Sequence, residues 1–94
     1  MKKNEILRQI RTLSVQNKKL VLQLEEKAKR AKILDEYREL EDVKLQFEKL
    51  IDAWKKCLDA QRKLTKNKEI NDEVLAILSV VEEIRKRFNQ EYDD

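Results

Sequence analysis

The chain contains neither glycine nor proline in its 94 residues. These two residues divide most chains into short elements joined by turns, so their absence predicts few, long secondary-structure elements. Charged residues make up 44% of the sequence, a proportion typical of long helices and coiled coils. Aromatic residues make up only 5%, which favours an extended helical arrangement over a compact globule. We therefore predict an all-α fold, an elongated coiled coil.

The most regular apolar pattern lies in residues 40–64. Apolar side chains recur there at alternating steps of three and four, which keeps one face of a helix towards a partner. Ile51 and Leu58 widen this stripe, and the only tryptophan, Trp54, lies at its centre. Such a wide stripe predicts packing against more than one helix. Its members are Leu40, Val43, Phe47, Leu50, Trp54, Cys57 and Leu64, with Gln61 in the one polar slot.

A second seam with the same alternating steps occupies the N-terminal third of the chain. Asn17 takes one of its core positions, where a buried amide typically fixes the register and the number of strands. Leu7, Val21 and Ala28 flank the seam, where a simple dimer usually carries charges. Its members are Ile6, Ile10, Leu13, Asn17, Leu20, Leu24, Lys27, Ala31 and Leu34.

The two seams differ in register, and this sets the predicted boundaries. Residues 1–64 are predicted to form one long coiled-coil helix with a register shift near 35–39. At 1.5 Å per residue, it would run for roughly 90 Å from about Glu5 to Leu64. Residues 65–71 are predicted to be a loop, and 72–94 a second helix with a frayed tail, capped by Asn71. The second helix would fold back on the 40–64 stripe, leaving the N-terminal seam for another chain in a single interaction module.

The positive charge of the chain is concentrated near its N-terminus. The net charge is +3, but residues 1–32 carry ten Lys and Arg against three Glu. Such a segment is suited to an acidic partner or a phosphate backbone, although a solvated helix face has the same composition. No aromatic residue interrupts it, so base stacking is not supported. The candidate DNA phosphate contacts are Arg8, Arg11, Lys18, Lys29, Arg30 and Lys32.

The composition also restricts the chemistry. There is no histidine, which excludes a histidine-based triad or zinc site, and the single cysteine cannot form an internal disulfide. No nucleophile–base pair, phosphate-binding glycine loop or metal-ligand spacing is present, and no window is apolar enough for a membrane span. We expect a protein that is not an enzyme, with no catalytic residues, cofactor, metal, small-molecule substrate or membrane association.

Residues of about 25–64 resemble the C-terminal region of the Swi-five-dependent recombination repair family, also called the Mei-five family. The resemblance depends on the order and spacing of several short features. These are Lys27, Lys29 and Arg30, then Ile33 with Leu34, Tyr37 with Arg38, Asp42, Leu50 with Ile51, Trp54 with Lys55, and Cys57.

This resemblance implies an accessory subunit in homologous recombination, acting in DNA repair and meiosis in the nucleus. Its partners would be a small helical Swi-five-type protein, in a coiled-coil heterodimer, and the filament of a RecA-type recombinase. The heterodimer would stabilise that filament and stimulate strand exchange. The predicted partner interface comprises Ile6, Ile10, Leu13, Asn17, Leu20, Leu24, Leu34, Tyr37, Leu40, Phe47, Leu50, Ile51, Trp54 and Leu58. The alternative is a homo-oligomeric coiled-coil scaffold or tether with no nucleic-acid role.

Overall fold

A computed structural model describes residues 2–92, and within that range the chain forms three α-helices. They are α1 (Lys3–Ile33), α2 (Tyr37–Leu64) and α3 (Lys68–Tyr92), and each packs against the other two. The bundle measures 49 × 20 × 14 Å. Its length is that of a single helix, since the 31 residues of α1 span about 46 Å. The all-α class is confirmed, but the arrangement is a three-helix bundle.

The predicted continuous helix is wrong at residues 34–36, where the chain reverses. Asp35 adopts a left-handed conformation with φ of 56°. The N–H of Glu36 donates to the carbonyl of Ala31 at 2.8 Å, and the N–H of Asp35 donates to that of Lys32 at 3.3 Å. These two bonds form the Schellman motif, which usually has glycine at the left-handed position. Aspartate tolerates that conformation better than most residues, so α1 ends without a glycine.

The second boundary lies earlier than predicted. Asn67 caps α3, because its Oδ1 accepts hydrogen bonds from the N–H groups of Glu69 at 2.9 Å and Ile70 at 3.3 Å. The connection is therefore only 65–67, and Asn71 lies inside the first turns of α3. At the other end α3 continues to Tyr92, while the tail residues 93–94 lie outside the described range.

The reversal makes α1 and α2 antiparallel and brings α3 parallel to α1. Contacts between Arg11 and Glu73 and between Lys32 and Glu91 advance in the same direction along α1 and α3. The ring of Phe47 on α2 stacks on Phe88 of α3 with centroids 3.9 Å apart. One core therefore runs between the three helices, built from both predicted seams and the apolar side of α3.

The core face of α1 is turned by about one residue from the predicted seam. Leu20, Lys27 and Leu34 are exposed, and Leu13 is half-buried. The flanking positions are buried in their place, because the small side chains of Ser14 and Ala28 allow the other helices to approach and Lys27 stays in water. The buried residues of α1 are Ile6, Leu7, Ile10, Ser14, Asn17, Val21, Leu24, Ala28 and Ala31.

The two buried polar residues of α1 form hydrogen bonds within their own helix. The Asn17 Nδ2 donates to the carbonyl of Leu13 at 2.8 Å, and the Ser14 hydroxyl donates to that of Ile10 at 2.9 Å. Asn17 is therefore buried inside its own chain and bonded to its own helix.

The α2 stripe is largely as predicted, with two corrections. Val43, Phe47, Ile51, Trp54 and Leu58 are buried. Cys57 and Leu64, predicted as members of the stripe, are exposed instead. The residues that widen the stripe in the sequence, Ile51 and Leu58, lie at its centre, because α2 must face both α1 and α3.

Trp54 is the largest fully buried side chain, with 1% of its surface exposed. We expect Trp54→Ala to lower the free energy of unfolding by about 3–5 kcal/mol, through lost burial and the cavity left behind. Urea denaturation followed by circular dichroism measures this. Leu45→Ala is the control on the same helix, since Leu45 is 52% exposed, and should change stability by less than about 0.5 kcal/mol. Equal effects of the two substitutions would contradict the assignment of Trp54 to the core.

The reversal gives a second prediction. Asp35→Gly should raise the free energy of unfolding by about 0.5–1 kcal/mol, since glycine enters the left-handed region without steric cost. Glu36→Gly, one residue later at φ of −90°, should instead lower it by about 0.4–1 kcal/mol, because glycine there only adds freedom to the unfolded chain. The same denaturation experiment compares them, and a continuous helix through residue 35 would make both substitutions destabilising.

Candidate partner-binding face

The fourteen predicted interface residues divide into three groups. Eight are buried in the chain's own core: Ile6, Ile10, Asn17, Leu24, Phe47, Ile51, Trp54 and Leu58. Their surface is covered by the chain's own helices, so they are not free to meet a partner. Leu13, Leu40 and Leu50 are half-buried at the edge of that core. Leu20, Leu34 and Tyr37 are exposed.

The half-buried and exposed leucines share one side of the molecule. Helix α3 meets α1 along the edge that carries Arg11 and Glu25, and meets α2 along the edge that carries Lys55. At about 100° per residue, Leu13 and Leu20 lie on the opposite edge of α1. Leu50 and Cys57 likewise lie on the edge of α2 turned away from α3. These two edges adjoin, because α1 and α2 are packed antiparallel.

We call this surface the open face. It consists of two rows of side chains at alternating steps of three and four residues. The α1 row is Gln9, Leu13, Gln16, Leu20 and Gln23, and the α2 row is Gln46, Leu50, Ala53, Cys57, Ala60 and Leu64.

No position of these two rows carries a charge, although 44% of the chain is charged, and the α1 row ends before the next position of its pattern, the charged Lys27. Leu20 and Leu64 are 46% and 77% exposed, so this apolar surface meets solvent. Loss of charged residues is the compositional mark of the centre of a protein–protein interface, whereas ordinary surface is rich in charge. An uncharged stripe with leucines at helical spacing is therefore suited to packing against another helix.

Basic side chains border the open face on both sides. Lys49, Lys56 and Lys63 follow the α2 row at intervals of one heptad, and Arg8 and Lys19 follow the α1 row. All five are exposed, and within residues 2–92 none of them forms an ion pair. We call these five residues the basic rim.

Several charges on the α3 side, by contrast, join helices. Arg11 Nε lies 2.9 Å from Glu73 Oε1, and Arg87 Nη2 lies 3.2 Å from Glu25 Oε1. Further ion pairs join Lys3 to Glu69 and Lys55 to Glu82.

Lys32 completes this edge, because its Nζ donates to the carbonyl of Glu91 at 2.9 Å and lies 5.6 Å from the centre of the Tyr92 ring. Two of the six candidate phosphate contacts, Arg11 and Lys32, are thus engaged with α3. Arg8, Lys18, Lys29 and Arg30 lie exposed along α1, without ion pairs to described residues.

Three of the ion-paired groups have displaced pKa values. A hydrogen bond from Lys3 lowers the pKa of Glu69, and a hydrogen bond from Lys55 lowers that of Glu82. The hydrogen bond to Glu73 raises the pKa of Arg11. Burial raises the pKa of Tyr92, whose hydroxyl donates to the carbonyl of Glu25 at 3.4 Å. These shifts belong to contacts between helices and do not fall on the open face.

The described residues present little reactive chemistry. Their Cys, Asp and Glu side chains form no group of three or more placed to hold a metal ion. Across residues 2–92, no helix has the length and apolar composition needed to cross a bilayer. The thiol of Cys57 is free and exposed at the middle of the α2 row.

Comparison of the chain with protein-family models, with curated proteins and with solved structures finds no match.

Part of the open face was not predicted from the sequence, although a signal was present. The predicted interface includes Leu13, Leu20 and Leu50, but not the small residues Ala53 and Ala60. The α2 row could have been found as a second heptad-spaced stripe without charges, running beside the wider apolar one.

The ion pair between α2 and α3 predicts a pH dependence. Because the folded state lowers the pKa of Glu82, the pair stabilises the fold above the ordinary glutamate pKa of 4.5 and is lost as the pH falls through the lower, folded-state value. We expect the stability of Glu82→Gln to fall less steeply than that of the wild type below about pH 4.5. Urea midpoints between pH 6 and pH 3 test this. Glu83→Gln, on the neighbouring exposed residue, should follow the wild type, and identical profiles for all three proteins would contradict it.

Proposed function

We propose that this chain is a non-enzymatic helical interaction module that binds a helical partner protein along the open face. The observation that carries the proposal is an uncharged surface with exposed leucines in a chain that is otherwise densely charged. Exposed apolar surface bordered by polar residues is a feature of binding sites.

The geometry favours a helix as the bound element. The open face lies between two antiparallel helices, and both of its rows have the spacing that accepts side chains of a further helix. A partner helix laid there would complete a four-helix arrangement around Leu13, Leu20 and Leu50. Those three side chains would then be buried on both sides.

For the identity of the complex we propose the accessory role in homologous recombination. The support is the resemblance of residues 25–64 to the Mei-five family, a segment that includes the whole α2 row. In this proposal a small helical Swi-five-type protein occupies the open face as heterodimer partner in the nucleus. The composite surface then holds a RecA-type recombinase in its filament form on single-stranded DNA.

Ala53→Arg tests the proposed binding surface. Ala53 is exposed at the centre of the α2 row, so arginine there leaves the fold intact but places a charge inside the interface. We expect the variant to lose co-elution with a Swi-five-type protein on gel filtration and to lose stimulation of recombinase-driven strand exchange. The matched control is Ala76→Arg, an exposed alanine on α3, which should retain both activities.

Two results would count against the proposal. Equal behaviour of Ala53→Arg and Ala76→Arg would show that the open face is not the binding surface. Sedimentation equilibrium could instead give a stable homo-oligomer of the wild type that Ala53→Arg dissociates. That result would identify the chain as a self-assembling scaffold.

A further inference from the structure

We infer that the partner helix is acidic: an amphipathic helix whose apolar stripe packs on the open face and whose flanking positions carry glutamate or aspartate. This inference rests on the proposed function and adds to it the chemical class of the partner. It follows from the distribution of charge around the open face.

The α2 side of the basic rim is unusually regular. Lys49, Lys56 and Lys63 are each seven residues apart, so they project from one line along α2. Four of the six acids of α2 lie further round the helix, towards α3: Glu41, Glu48, Asp52 and Asp59. The other two, Glu39 and Asp42, precede Gln46, the first position of the α2 row. Along the length of that row, the lysines therefore lie on the side of the open face and the acids on the side of α3.

The α1 side of the rim has the same sign. Arg8 and Lys19 lie beside the α1 row, and the antiparallel packing puts them across the open face from Lys63 and Lys49, respectively. The acids Glu5 and Glu26 lie on the same side of α1, beyond the two ends of the apolar stretch from Leu13 to Leu20. A helix seated between the two rims would therefore have three lysines along its α2 flank, and Arg8 and Lys19 on its α1 flank. Such cations favour acidic flanking positions in the partner helix.

The same charges argue against a second copy of this chain as the occupant. Two open faces placed against each other would bring one basic rim onto another, and like charges at such positions are unfavourable. Nucleic acid would meet the lysines, but its backbone offers nothing to the leucines and alanines between the two rims. An acidic amphipathic helix satisfies both the apolar rows and the rims.

The length of the occupant follows from the face. The α2 row runs from Gln46 to Leu64, which spans about 27 Å at 1.5 Å per residue. A partner helix of about 18 residues, or five turns, would cover it.

The test uses three designed 21-residue amphipathic peptides with leucine at the a and d positions. They differ only at the flanking e and g positions, which are all glutamate, all lysine or all glutamine. Binding to the full chain is measured by fluorescence anisotropy of the labelled peptide at 150 mM NaCl. The place of binding is measured on the same samples by the rate at which N-ethylmaleimide alkylates Cys57, the only cysteine, which lies on the open face.

The glutamate peptide should bind at least about tenfold more tightly than the lysine peptide, and should slow the alkylation of Cys57. The triple variant Lys49→Glu, Lys56→Glu, Lys63→Glu should reverse this preference. The control triple variant Lys18→Glu, Lys29→Glu, Lys86→Glu makes the same change in net charge away from the rim. It should shift each affinity by no more than about twofold, since distant surface charges are screened at this salt concentration.

Other outcomes separate this inference from the proposed function. Equal binding of the glutamine and glutamate peptides, with protection of Cys57, would overturn the acidic partner and leave helix binding intact. Failure of all three peptides to protect Cys57 would overturn both. Slow alkylation of Cys57 in the chain without peptide, together with a dimeric mass, would identify a second copy as the occupant. That result would overturn both the acidic partner and the proposed function. Protection by a single-stranded oligonucleotide, lost in the rim variant, would replace the helix with nucleic acid.

Discussion

The reversal at residues 34–36 decides how the two apolar seams of the chain are covered. Without it, α1 and α2 would be one rod, and each apolar seam would need a different chain to cover it. With it, the two seams close on each other and α3 completes the core. The turn is held by two backbone hydrogen bonds and by Asp35 in a left-handed conformation, a local solution that needs no glycine.

The sequence predicted helices and their apolar faces better than it predicted the path of the chain. Periodicity identifies the buried side of α2, because Val43, Phe47 and Trp54 are large and regularly spaced. It could not locate the end of α1, because the left-handed residue there is an aspartate and the usual glycine signal is absent. For α1, seams through Leu20 or Val21 fit the spacing equally well. Val21 is buried because the small side chains of Ser14 and Ala28 permit the other helices to approach that side of α1. This is a property of packing between helices.

The candidate site could be predicted only in part for a related reason. A leucine at heptad spacing looks the same in the sequence whether it ends in the core or at its edge, as Leu24 and Leu20 do here. The position of α3 decides which of the two leucines is in the core, because α3 covers one side of the α1–α2 pair and leaves the other side to solvent. The charged residues give a complementary signal. On the covered side several of them form ion pairs between helices, whereas the two rows of the open face carry no charge and the residues of the rim are unpaired.

This arrangement also determines how binding at the open face would work. The core is complete within one chain, with Trp54 and Leu58 buried by α1 and α3 together. The surface offered to a partner is therefore formed before the partner arrives, and helix formation in this chain adds no entropic cost to binding. Leu13 and Leu50 are partly buried and pack against the core, so these two side chains have little conformational freedom left to lose on binding. In the proposed complex, the unpaired lysines of the rim would attract an acidic partner at a distance, and the uncharged rows would then exclude water at the contact. Affinity and partner choice would thus be carried by different residues of the same surface, and each could be altered without unfolding the bundle.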